Sequence, residues 1–549
     1  MLNKKTVILR ILLFAASILI LIIPDILIND NKGALNFCLL IASKICLFLF
    51  FGLILLRFTR SYFRTYLILG IPYLISSIIE SFNIIILRNF ISADNIVSLL
   101  NASVNEIREF YSGFKIYFIL PLALIIAYCL ILRSFRSIPY EAKYQRRLIP
   151  LAFAAILISL SISVLTLYRT GNIYSGKDLK ENLFGHFYLH QHPFNLLNES
   201  YVFAKIKIST YKYRAQHDSF KFGILNPNDT VKPKLVIFII GERMRAANWS
   251  LNGYKRETTP NLQKVPDLIS FSKNYSNSNF TYGSIPLIIT QASPKNPTLA
   301  HSQKSIVSLF KEAGFETTWI SSQYLFDIVD ERKVPDHVYE LYKKPHTDMD
   351  VLPVFDSVIN RKTTKDQFIV INLLGGHGGV PAQFNVFKPN DSQKDYPITM
   401  QNAPIFINSY DNMIRLQDYV LAEIMNRVLK QNVSSVVMFT ADHGCNLFDN
   451  GKALFGYGSA HPTENEAHVP MLVSLSGKFI ERNPGKYKNL ISHKDLMTTN
   501  NDLFYTVADL SNIKYKSYDK RMSISDSAYV EPSSRFLYIN GKVIEYKNK

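Results

Sequence analysis

Cysteine is scarce in this sequence of 549 residues, which has four in all. Cys38, Cys46 and Cys129 lie inside apolar runs near the N-terminus, and Cys445 is alone in the rest of the chain. A single cysteine cannot form a disulfide within its own part of the chain, so a small disulfide-stabilised fold is excluded there. That part must be held together by a packed core or by a bound metal.

Nucleic-acid motifs are also missing, although the chain has a formal net charge of +18. No zinc-finger spacing or other nucleic-acid motif occurs, and much of the basic excess lies in loops between apolar runs. The remaining charge suits a domain that rests on an anionic lipid surface. We therefore exclude nucleic acid as a partner and expect membrane lipids instead.

Long apolar runs are abundant in the first 170 residues. A helix that crosses a hydrocarbon core needs about 20 apolar residues, and each of the runs is long enough. No small-residue cleavage site follows the first run, which argues against a cleaved signal peptide. The sequence therefore predicts a five-span transmembrane domain over residues 1–168. The runs cover residues 7–28, 33–56, 65–87, 114–132 and 148–168.

Basic residues fix the orientation of these spans. They cluster before the first span, between the second and third spans, and between the fourth and fifth. Because cytoplasmic loops are enriched in Lys and Arg, we expect a cytoplasmic N-terminus and everything after about residue 169 outside the membrane. Residues 169–232 then form a membrane-surface connector, and residues 233–549 an extracytoplasmic domain.

The third loop, residues 88–113, has apolar residues at helical spacing. This pattern predicts an interfacial helix at the outer face of the membrane. Glu80, inside the third span, is either a functional polar site or an end residue that reaches the membrane surface.

After residue 233 the pattern alternates between strands and helices. Continuous β-branched runs such as LVIFII (235–240) and QFIVINLLG (367–375) read as buried strands, and SIVSLFKEAGF (305–315) reads as an amphipathic helix. Such alternation predicts an α/β domain with a mainly parallel sheet covered on both faces. Ligands bind such sheets at the carboxyl ends of the strands.

Three of the predicted strands end in polar residues that bind metals or phosphates: Glu242, His377, and the pair Asp442 and His443. Taken singly, each has an ordinary alternative as a helix cap, a turn residue or a partner for a nearby arginine. Together in one domain they favour a metal site, and oxygen and nitrogen donors without thiolates suit zinc or manganese.

A hydroxyl nucleophile is expected between the first and second of these strand ends. The segment SNSNFTYGSIPLIIT offers Thr281 and Ser284. The alternative is a polar loop that contains a turn or a helix cap.

Several segments, in order along the chain, resemble the phosphoethanolamine transferases, membrane enzymes of the alkaline phosphatase/sulfatase superfamily. The resemblance covers 233–475 almost entirely, the five preceding spans agree with it, and lipid A transferases, including those associated with polymyxin resistance, are the nearest group. Its segments are GERMRAANWSLNGYKRETTPNL, SNFTYGSIPLIIT, KEAGFETTWISSQ, IVINLLGGHGG, NSYDNMIRLQDYVLAEIM, FTADHG and HVPML.

This resemblance implies a threonine nucleophile assisted by zinc. Phosphoethanolamine moves from phosphatidylethanolamine through a phospho-threonine intermediate to lipid A or another envelope acceptor, and diacylglycerol is released. The resemblance also implies an enzyme in the bacterial cytoplasmic (inner) membrane with its catalytic domain in the periplasm, and we expect a monomer. One tight zinc site is implied, with a second metal left open and manganese the less favoured ion.

The resemblance also assigns roles by position. Glu242, Asp442 and His443 become zinc ligands, and Thr281 becomes both nucleophile and fourth ligand. His377 and His461 hold the transferring phosphate or a second metal, with His468 as the competing choice for His461. Glu106, in the helix of the third loop, helps to bind the lipid donor.

Some positions depart from the family pattern. Arg243 and Met244 stand where relatives carry small or hydroxylated residues, and Cys445 replaces the usual Glu after Asp-His-Gly. A sulfatase would need an arginine at the position where this sequence has Ile288, which argues against sulfate ester hydrolysis. A glycerophosphate transferase of the lipoteichoic-acid synthase type stays open. A catalytically silent membrane protein for binding or sensing is the remaining alternative.

Overall fold

The computed structural model describes most of the chain. The described residues are 17–18, 20, 22–28, 34–87, 89–101, 107, 115–140, 145–169, 192–226, 232–323, 334–344, 346–377, 379–389, 396–459 and 461–546. The chain divides into two compact units, Met1–Ile96 with Phe114–Phe203, and Val97–Gly113 with Ala204–Lys549. The division into the three parts 1–168, 169–232 and 233–549, expected from the sequence, stays a prediction.

The part of the chain before the sheet is helical. Among the described residues, two helices are long and apolar enough to cross a membrane, Phe37–Thr59 and Tyr62–Leu87, and two shorter apolar helices lie at Ile119–Phe135 and Arg147–Ile162. The count of five spans therefore stays a prediction. The helices are α1 (Ala34–Thr59), α2 (Tyr62–Leu87), α3 (Ala93–Asn101), α4 (Ile119–Phe135), α5 (Gln145–Arg169) and α6 (Asn195–Ser219).

Polar side chains link pairs of helices in the first unit. The hydroxyls of Ser43 in α1 and Ser159 in α5 lie 2.9 Å apart. Tyr128 of α4 donates a hydrogen bond to the Tyr66 carbonyl of α2 at 3.1 Å. Between apolar helices such polar contacts add interhelical hydrogen bonds to side-chain packing.

Glu80 is fully buried in α2. Its carboxylate accepts hydrogen bonds from the Ile91 backbone N–H at 2.7 Å and from Asn195 Nδ2 at 2.9 Å. Because a buried carboxylate needs donors, this arrangement fixes the turn that precedes α3. Glu80 thus has a structural partner on each oxygen.

A seven-stranded sheet organises the second unit. Its strands are β1 (Leu235–Gly241), β2 (Ile269–Phe271), β4 (Glu316–Ser321), β5 (His337–Glu340), β6 (Gln367–Asn372), β7 (Ser435–Ala441) and β10 (Met471–Leu475). They lie in the order β2-β10-β7-β1-β6-β4-β5. Strands β7, β1, β6, β4 and β5 pair in parallel, whereas β10 is antiparallel to β7 and β2. The expectation of a mainly parallel sheet with helices is confirmed.

Shorter strands and the remaining helices complete this unit. The strands are β3 (Asn274–Tyr275), β8 (Asn446–Leu447), β9 (Phe455–Gly456), β11 (Thr498–Thr499), β12 (Arg535–Ile539) and β13 (Lys542–Tyr546). The helices are α7 (Thr281–Ile289), α8 (Leu299–Ser302), α9 (Ile306–Glu312), α10 (Val351–Ile359), α11 (Ala403–Lys430), α12 (Glu464–Ala467), α13 (Gly477–Arg482), α14 (Pro484–His493) and α15 (Asn501–Leu510).

Alternate residues of β1 enter two different cores. Ile237 and Ile239 pack with residues of α10 and α11 on one face of the sheet. Val236 and Phe238 pack with residues of α9 and α15 on the other face. Because successive side chains of a strand point to opposite faces, every residue of β1 is buried, as its continuous apolar run predicts.

Two helices can be compared with the sequence. The amphipathic helix expected over 305–315 is present as α9, which Ser305 caps by accepting from the Val307 N–H at 3.2 Å. The helix α11 begins at Ala403, six residues before Ser409 of the segment NSYDNMIRLQDYVLAEIM. Pro404 causes no break there, because proline is tolerated in the first turn of a helix.

Candidate functional site

The carboxyl ends of β1 and β7 bring the first two acidic residues together. In their parallel register Gly241 is opposite Ala441, and the Asp442 N–H donates to the Gly241 carbonyl at 2.9 Å. The next residue of each strand is therefore a carboxylate, Glu242 beside Asp442. Both strand ends open at the same edge of the sheet, where ligands bind in this fold class.

Glu242, Asp442 and His443 form one buried cluster. A ligand atom from each lies within 4.8 Å of the other two. His443 Nε2 is 3.4 Å from Glu242 Oε1 and 3.4 Å from Asp442 Oδ2. Among the residues that the structure describes, this is the cluster of acidic, histidine and cysteine side chains with such geometry.

Hydrogen bonding leaves one oxygen of each carboxylate available. Glu242 Oε2 accepts from Thr281 and Gln323, and Asp442 Oδ1 accepts from the backbone N–H groups of Arg243 and His443. Within the described part of the chain, Glu242 Oε1 and Asp442 Oδ2 are buried with no hydrogen-bond donor. Buried polar atoms without a partner are uncommon, and these two fit a cation.

The orientation of the His443 ring agrees with a metal ligand. Its Nδ1 donates to the Gly444 carbonyl at 2.8 Å, which leaves Nε2 as the nitrogen that faces the carboxylates. Metal-binding histidines usually donate their second ring N–H in this way. Two carboxylate oxygens and one imidazole nitrogen are a donor set that zinc accepts, with a further position open.

Electrostatics at the cluster favour a positive charge. Burial and the charge of Glu242 raise the pKa of Asp442 to about 8. Burial opposes a charge on Glu242 as well, but His377 and His443 hold the pKa of Glu242 well below its usual range. Burial disfavours a charged His443 too, yet the carboxylates raise the pKa of His443 to about 9. A proton on His443 or a metal ion on its Nε2 can supply the charge that the carboxylates attract.

Thr281 is the first residue of α7 and faces the same cluster. Its hydroxyl donates to Glu242 Oε2 at 3.0 Å and lies 3.3 Å from His443 Nε2. Gly283 permits this start of the helix, since a Cβ there would lie 2.3 Å from Ser278 Oγ. Ser284, the other candidate, is buried and bonds instead to Ser276 and to the Ser278 carbonyl.

His377 lies on the opposite side of Glu242. Its Nε2 is 3.4 Å from Glu242 Oε1 and 3.2 Å from the Tyr457 hydroxyl. The turn that carries it requires glycine at position 375, where φ is +51° and a Cβ would lie 2.2 Å from the Glu242 carbonyl oxygen. The structure thus brings Glu242, Asp442, His443, Thr281 and His377 together.

The remaining predicted site residues lie elsewhere. His461 is exposed and has no hydrogen bond or ion pair to the cluster among the described residues. His468 Nε2 donates to the Ser272 carbonyl, 2.9 Å away, and the His468 ring stacks on Tyr275. Glu106 falls outside the described residues. The roles given to His461 and Glu106 stay predictions.

Gln323 and Tyr457 were missed in the sequence. Gln323 Nε2 donates to Glu242 Oε2 at 3.1 Å and to the Leu373 carbonyl at 2.7 Å. It follows the carboxyl end of β4, so the strand-end rule that found Glu242 could have found it. The Tyr457 ring lies 4.3 Å from the His443 ring, and no local pattern in the sequence marks it.

Polar residues of the segment 241–262 connect the loop after β1 to α11 and to the turn between β8 and β9. Arg245 Nη1 pairs with both oxygens of Asp449 at 2.8 and 2.7 Å. Asn248, Tyr254 and Arg256 all donate to the carboxylate of Asp411, which α11 presents to them. A shared carboxylate with several donors holds a loop in one arrangement.

Arg243 and Met244, which depart from the family pattern, have separate environments. Met244 is fully buried in the core that contains α11. Arg243 has a φ of +58°, and its guanidinium carbon lies 5.2 Å from the ring centre of Phe455 and 5.5 Å from that of Tyr457.

A comparison with protein-family models matches residues 234–513 to Sulfatase, slightly more than half of the chain. The chain belongs to the sulfatase family. This sulfatase-family region contains Glu242, Thr281, His377, Asp442 and His443. The resemblance to the alkaline phosphatase/sulfatase superfamily is therefore confirmed.

Curated relatives of this sulfatase-family chain include proteins named phosphoethanolamine transferases. EptC of Escherichia coli K12 is 25% identical over 370 residues, which are 61% of this chain and 63% of EptC. EptA of the same strain is 27% identical over 315 residues, 52% of this chain and 55% of EptA. The chain thus spans less than two thirds of the length of the relatives that it matches.

Solved structures extend the likeness in fold. The integral membrane protein lipooligosaccharide phosphoethanolamine transferase A (EptA) from Neisseria meningitidis aligns with a TM-score of 0.73 and 19% identity, over 93% of this chain and 97% of that chain. The C-terminal periplasmic domain of EptC from Escherichia coli, in complex with Zn, aligns with a TM-score of 0.52 and 24% identity, over 58% of this chain and 94% of that chain. The fold of this sulfatase-family chain therefore matches that of an integral membrane protein along most of its length.

Proposed function

We propose that this protein transfers phosphoethanolamine from phosphatidylethanolamine to lipid A or another envelope acceptor. One observation carries the proposal: the Thr281 hydroxyl lies 3.0 Å from Glu242 and 3.3 Å from His443, in a cluster with free carboxylate oxygens. A sulfatase-family domain with a threonine at this position, and relatives named for this transfer, support the substrate class.

Glu242, Asp442 and His443 would hold a zinc ion, with Thr281 as the fourth ligand. Zinc supplies a positive charge that lowers the pKa of a nucleophilic hydroxyl and polarises a phosphoryl oxygen. The free carboxylate oxygens and the orientation of His443 fit this ion better than they fit manganese, which favours more oxygen donors. His377 and His461 would hold the transferring phosphate, and a second metal at these two histidines is the alternative.

The residues of the chain divide the chemistry between them. The Thr281 oxygen attacks phosphorus, a new P–O bond forms, and the bond from phosphorus to the diacylglycerol oxygen breaks. The N-terminus of α7 stabilises negative charge on the transferring phosphate. His377 gives a proton to the departing diacylglycerol oxygen. The hydroxyl proton of Thr281 passes to solvent in this first step. An acceptor oxygen then displaces Thr281 from phosphorus, the acceptor's hydroxyl proton passes to His377, and Thr281 regains a proton from solvent.

Localisation is part of the same proposal. The chain would lie in a bacterial inner membrane through five spans, with 169–232 along the membrane surface and 233–549 in the periplasm as a monomer. Tethering the site beside both lipid substrates raises their effective concentration. Glu106 in the third loop would bind the lipid donor.

The variant Thr281→Ala tests the function. It should lower the transfer rate by roughly a thousand-fold or more, because the group that carries the intermediate is lost. Zinc chelation should do the same, reversibly. The readouts are the mass of lipid A from cells with and without the protein, where one phosphoethanolamine unit is gained, and the mass of the phosphorylated enzyme.

Ser284→Ala is the matched control, since it removes the neighbouring hydroxyl of the same helix. It should retain transfer. Full activity in Thr281→Ala with loss in Ser284→Ala would show that the nucleophile is wrongly assigned. An unchanged lipid A together with a modified core or glycan would move the proposal to another acceptor.

A further inference from the structure

Arg243 differs from the other arginines of its segment in what surrounds it. Arg245 pairs with Asp449, and Arg256 pairs with Asp411. In the part of the chain that the structure describes, no carboxylate pairs with Arg243, and its Nε is buried without a hydrogen-bond acceptor. Its guanidinium donates a hydrogen bond to Cys445 and lies near Tyr457 and Tyr410. A guanidinium without an anion beside an active site is open to an anionic ligand.

The backbone holds Arg243 in this place at a conformational cost. Its φ of +58° lies in the left-handed region, which arginine seldom adopts. Two hydrogen bonds clamp the strained residue: its N–H donates to Asp442 Oδ1 at 3.0 Å, and its carbonyl accepts from the Tyr410 hydroxyl at 2.9 Å. Strain of this kind, enforced by neighbours, is common at functional sites.

The side chain runs along the same edge as the cluster. Its stem packs on Gly376, where a Cβ would lie 2.9 Å from Arg243 Cδ, next to His377. Its guanidinium faces the ring of Tyr457, and that ring also lies 4.3 Å from the ring of His443. The Tyr457 hydroxyl is 3.2 Å from His377 Nε2. One aromatic ring therefore links the guanidinium to two histidines of the site.

We infer that Arg243 is a substrate-binding residue that holds a phosphate oxyanion beside the Glu242–Asp442–His443 cluster. The inference rests on the proposed function, in which every step places anionic phosphate near Thr281. A guanidinium offers paired donors that match phosphate oxygens, and stacking on an aromatic ring presents them in one orientation. The phosphate belongs either to the phosphodiester of the donor or to a phosphate on the acceptor.

Inorganic phosphate is the probe for this site. The full-length chain, purified in detergent and loaded with zinc, is titrated calorimetrically with inorganic phosphate, and its zinc content is measured separately. Arg243→Gln should weaken phosphate binding roughly ten- to a hundred-fold, because a charge-assisted hydrogen bond is lost, at unchanged zinc content. Arg243→Lys, which keeps the charge but not the paired donors, should fall between Arg243→Gln and the natural protein.

Arg482→Gln is the matched control, since Arg482 is exposed at the end of α13, and it should bind phosphate like the natural protein. Equal phosphate affinity in the natural protein, Arg243→Gln and Arg243→Lys would overturn the inference, and so would a natural protein that binds no phosphate. If Arg243→Gln does not fold, Arg243→Lys decides alone, since it keeps the stem that packs on Gly376.

Two activity measurements identify the source of the phosphate. A raised KM for diacylglycerol release from phosphatidylethanolamine vesicles, without acceptor, would assign Arg243 to the donor. Normal release with slower transfer to lipid A, but not to phosphatase-treated lipid A, would assign it to the acceptor. If the natural protein releases no diacylglycerol but its phosphate affinity depends on Arg243, the proposed function fails while the inference stands.

Discussion

At the residue scale, the cluster combines features that are unfavourable for folding and favourable for binding. Glu242 and Asp442 are buried side by side, and each keeps one oxygen without a donor. Two adjacent buried carboxylates repel each other and lose hydration, unless a cation compensates. Such sites lower the stability of the metal-free protein in exchange for affinity.

Asp442→Asn should therefore separate stability from metal binding. The amide oxygen can still accept from the N–H groups of Arg243 and His443, and above the Asp442 pKa of about 8 the substitution removes one negative charge. Without metal we expect an unchanged or higher Tm, with a free energy of unfolding that is higher by up to about 1–2 kcal/mol. We also expect zinc affinity to fall at least tenfold. Thermal unfolding with and without zinc checks both.

Asn446→Asp serves as the control for added or removed charge near this loop, because Asn446 bonds to the Gly456 carbonyl and to Thr463 and not to the cluster. It should leave zinc affinity close to that of the natural protein. A fall in the metal-free Tm of Asp442→Asn would contradict the idea that the carboxylates repel.

Sequence reasoning reached the site residues that follow strands. Glu242, His377 and Asp442 could be found because parallel strands end at one edge, so their position in the chain predicts their meeting in space. Tyr457 could not be found, since it comes from a loop after β9 that only long-range folding brings beside His377 and His443. The conformation of Arg243 was equally inaccessible, because it depends on Tyr410 in α11 and Asp442 after β7.

At the scale of elements, helices and strands outside the sheet fix the loops that form the site. The strand β12 supports the segment before α7: the Tyr538 N–H donates to the Asn277 carbonyl at 2.8 Å, and Ser278 Oγ donates to the Tyr538 carbonyl at 2.9 Å. The sequence predicted the central strands from their apolar runs. It did not predict this pairing, because a short edge hairpin far along the chain carries no signal of where it docks.

The helix α15 provides a prediction on pH. Asp502 lies in its first turn, fully buried, and accepts from the Thr499 N–H at 2.8 Å and from the Tyr529 hydroxyl at 3.1 Å. Burial raises the pKa of Asp502 to about 7. Because the folded state binds this proton more tightly than the unfolded chain does, the contribution to stability is full below pH about 4 and is lost as pH rises through 7.

We expect Asp502→Asn to reduce the fall in stability between pH 5 and pH 8, by at most about 3 kcal/mol, because about two pH units separate pH 5 from the Asp502 pKa of about 7. The measurement is Tm of the full-length chain across this range. Asp526→Asn, a change at a partly exposed carboxylate of a nearby turn, is the control and should keep the pH dependence of the natural protein. An equal slope for both variants would contradict the role of Asp502.

At the scale of the whole molecule, a helical unit is joined to a sulfatase-family domain, and the fold matches an integral membrane protein over 93% of the chain. Composition predicts two kinds of segment, because apolar runs and alternating α/β patterns have different periods, and the boundaries between them stay a prediction. Among the described residues two helices are long and apolar enough to cross a membrane and two apolar helices are shorter, so the number of crossings stays a prediction.

The proposed topology predicts which residues a membrane-impermeant reagent can reach from outside the cell membrane. In a variant that lacks the natural cysteines, Ser492→Cys, exposed in α14, should react with a membrane-impermeant thiol reagent in spheroplasts. Ser137→Cys, exposed after α4, should react only after the membrane is permeabilised. Labelling of both positions in sealed spheroplasts would contradict the five-span arrangement. The measurement is the mass shift of the purified protein.

Because Cys445 is buried, its reactivity reports whether the sulfatase-family domain is folded or unfolded. It is the only cysteine after residue 170, and its side chain has no exposed surface. In the oxidising periplasm that we propose, a folded domain hides its single thiol from oxidants, whereas an unfolded copy exposes it and can be captured as a mixed disulfide. The rate at which Cys445 reacts therefore measures how often the domain unfolds, and only chains that have unfolded or misfolded would carry the mixed disulfide.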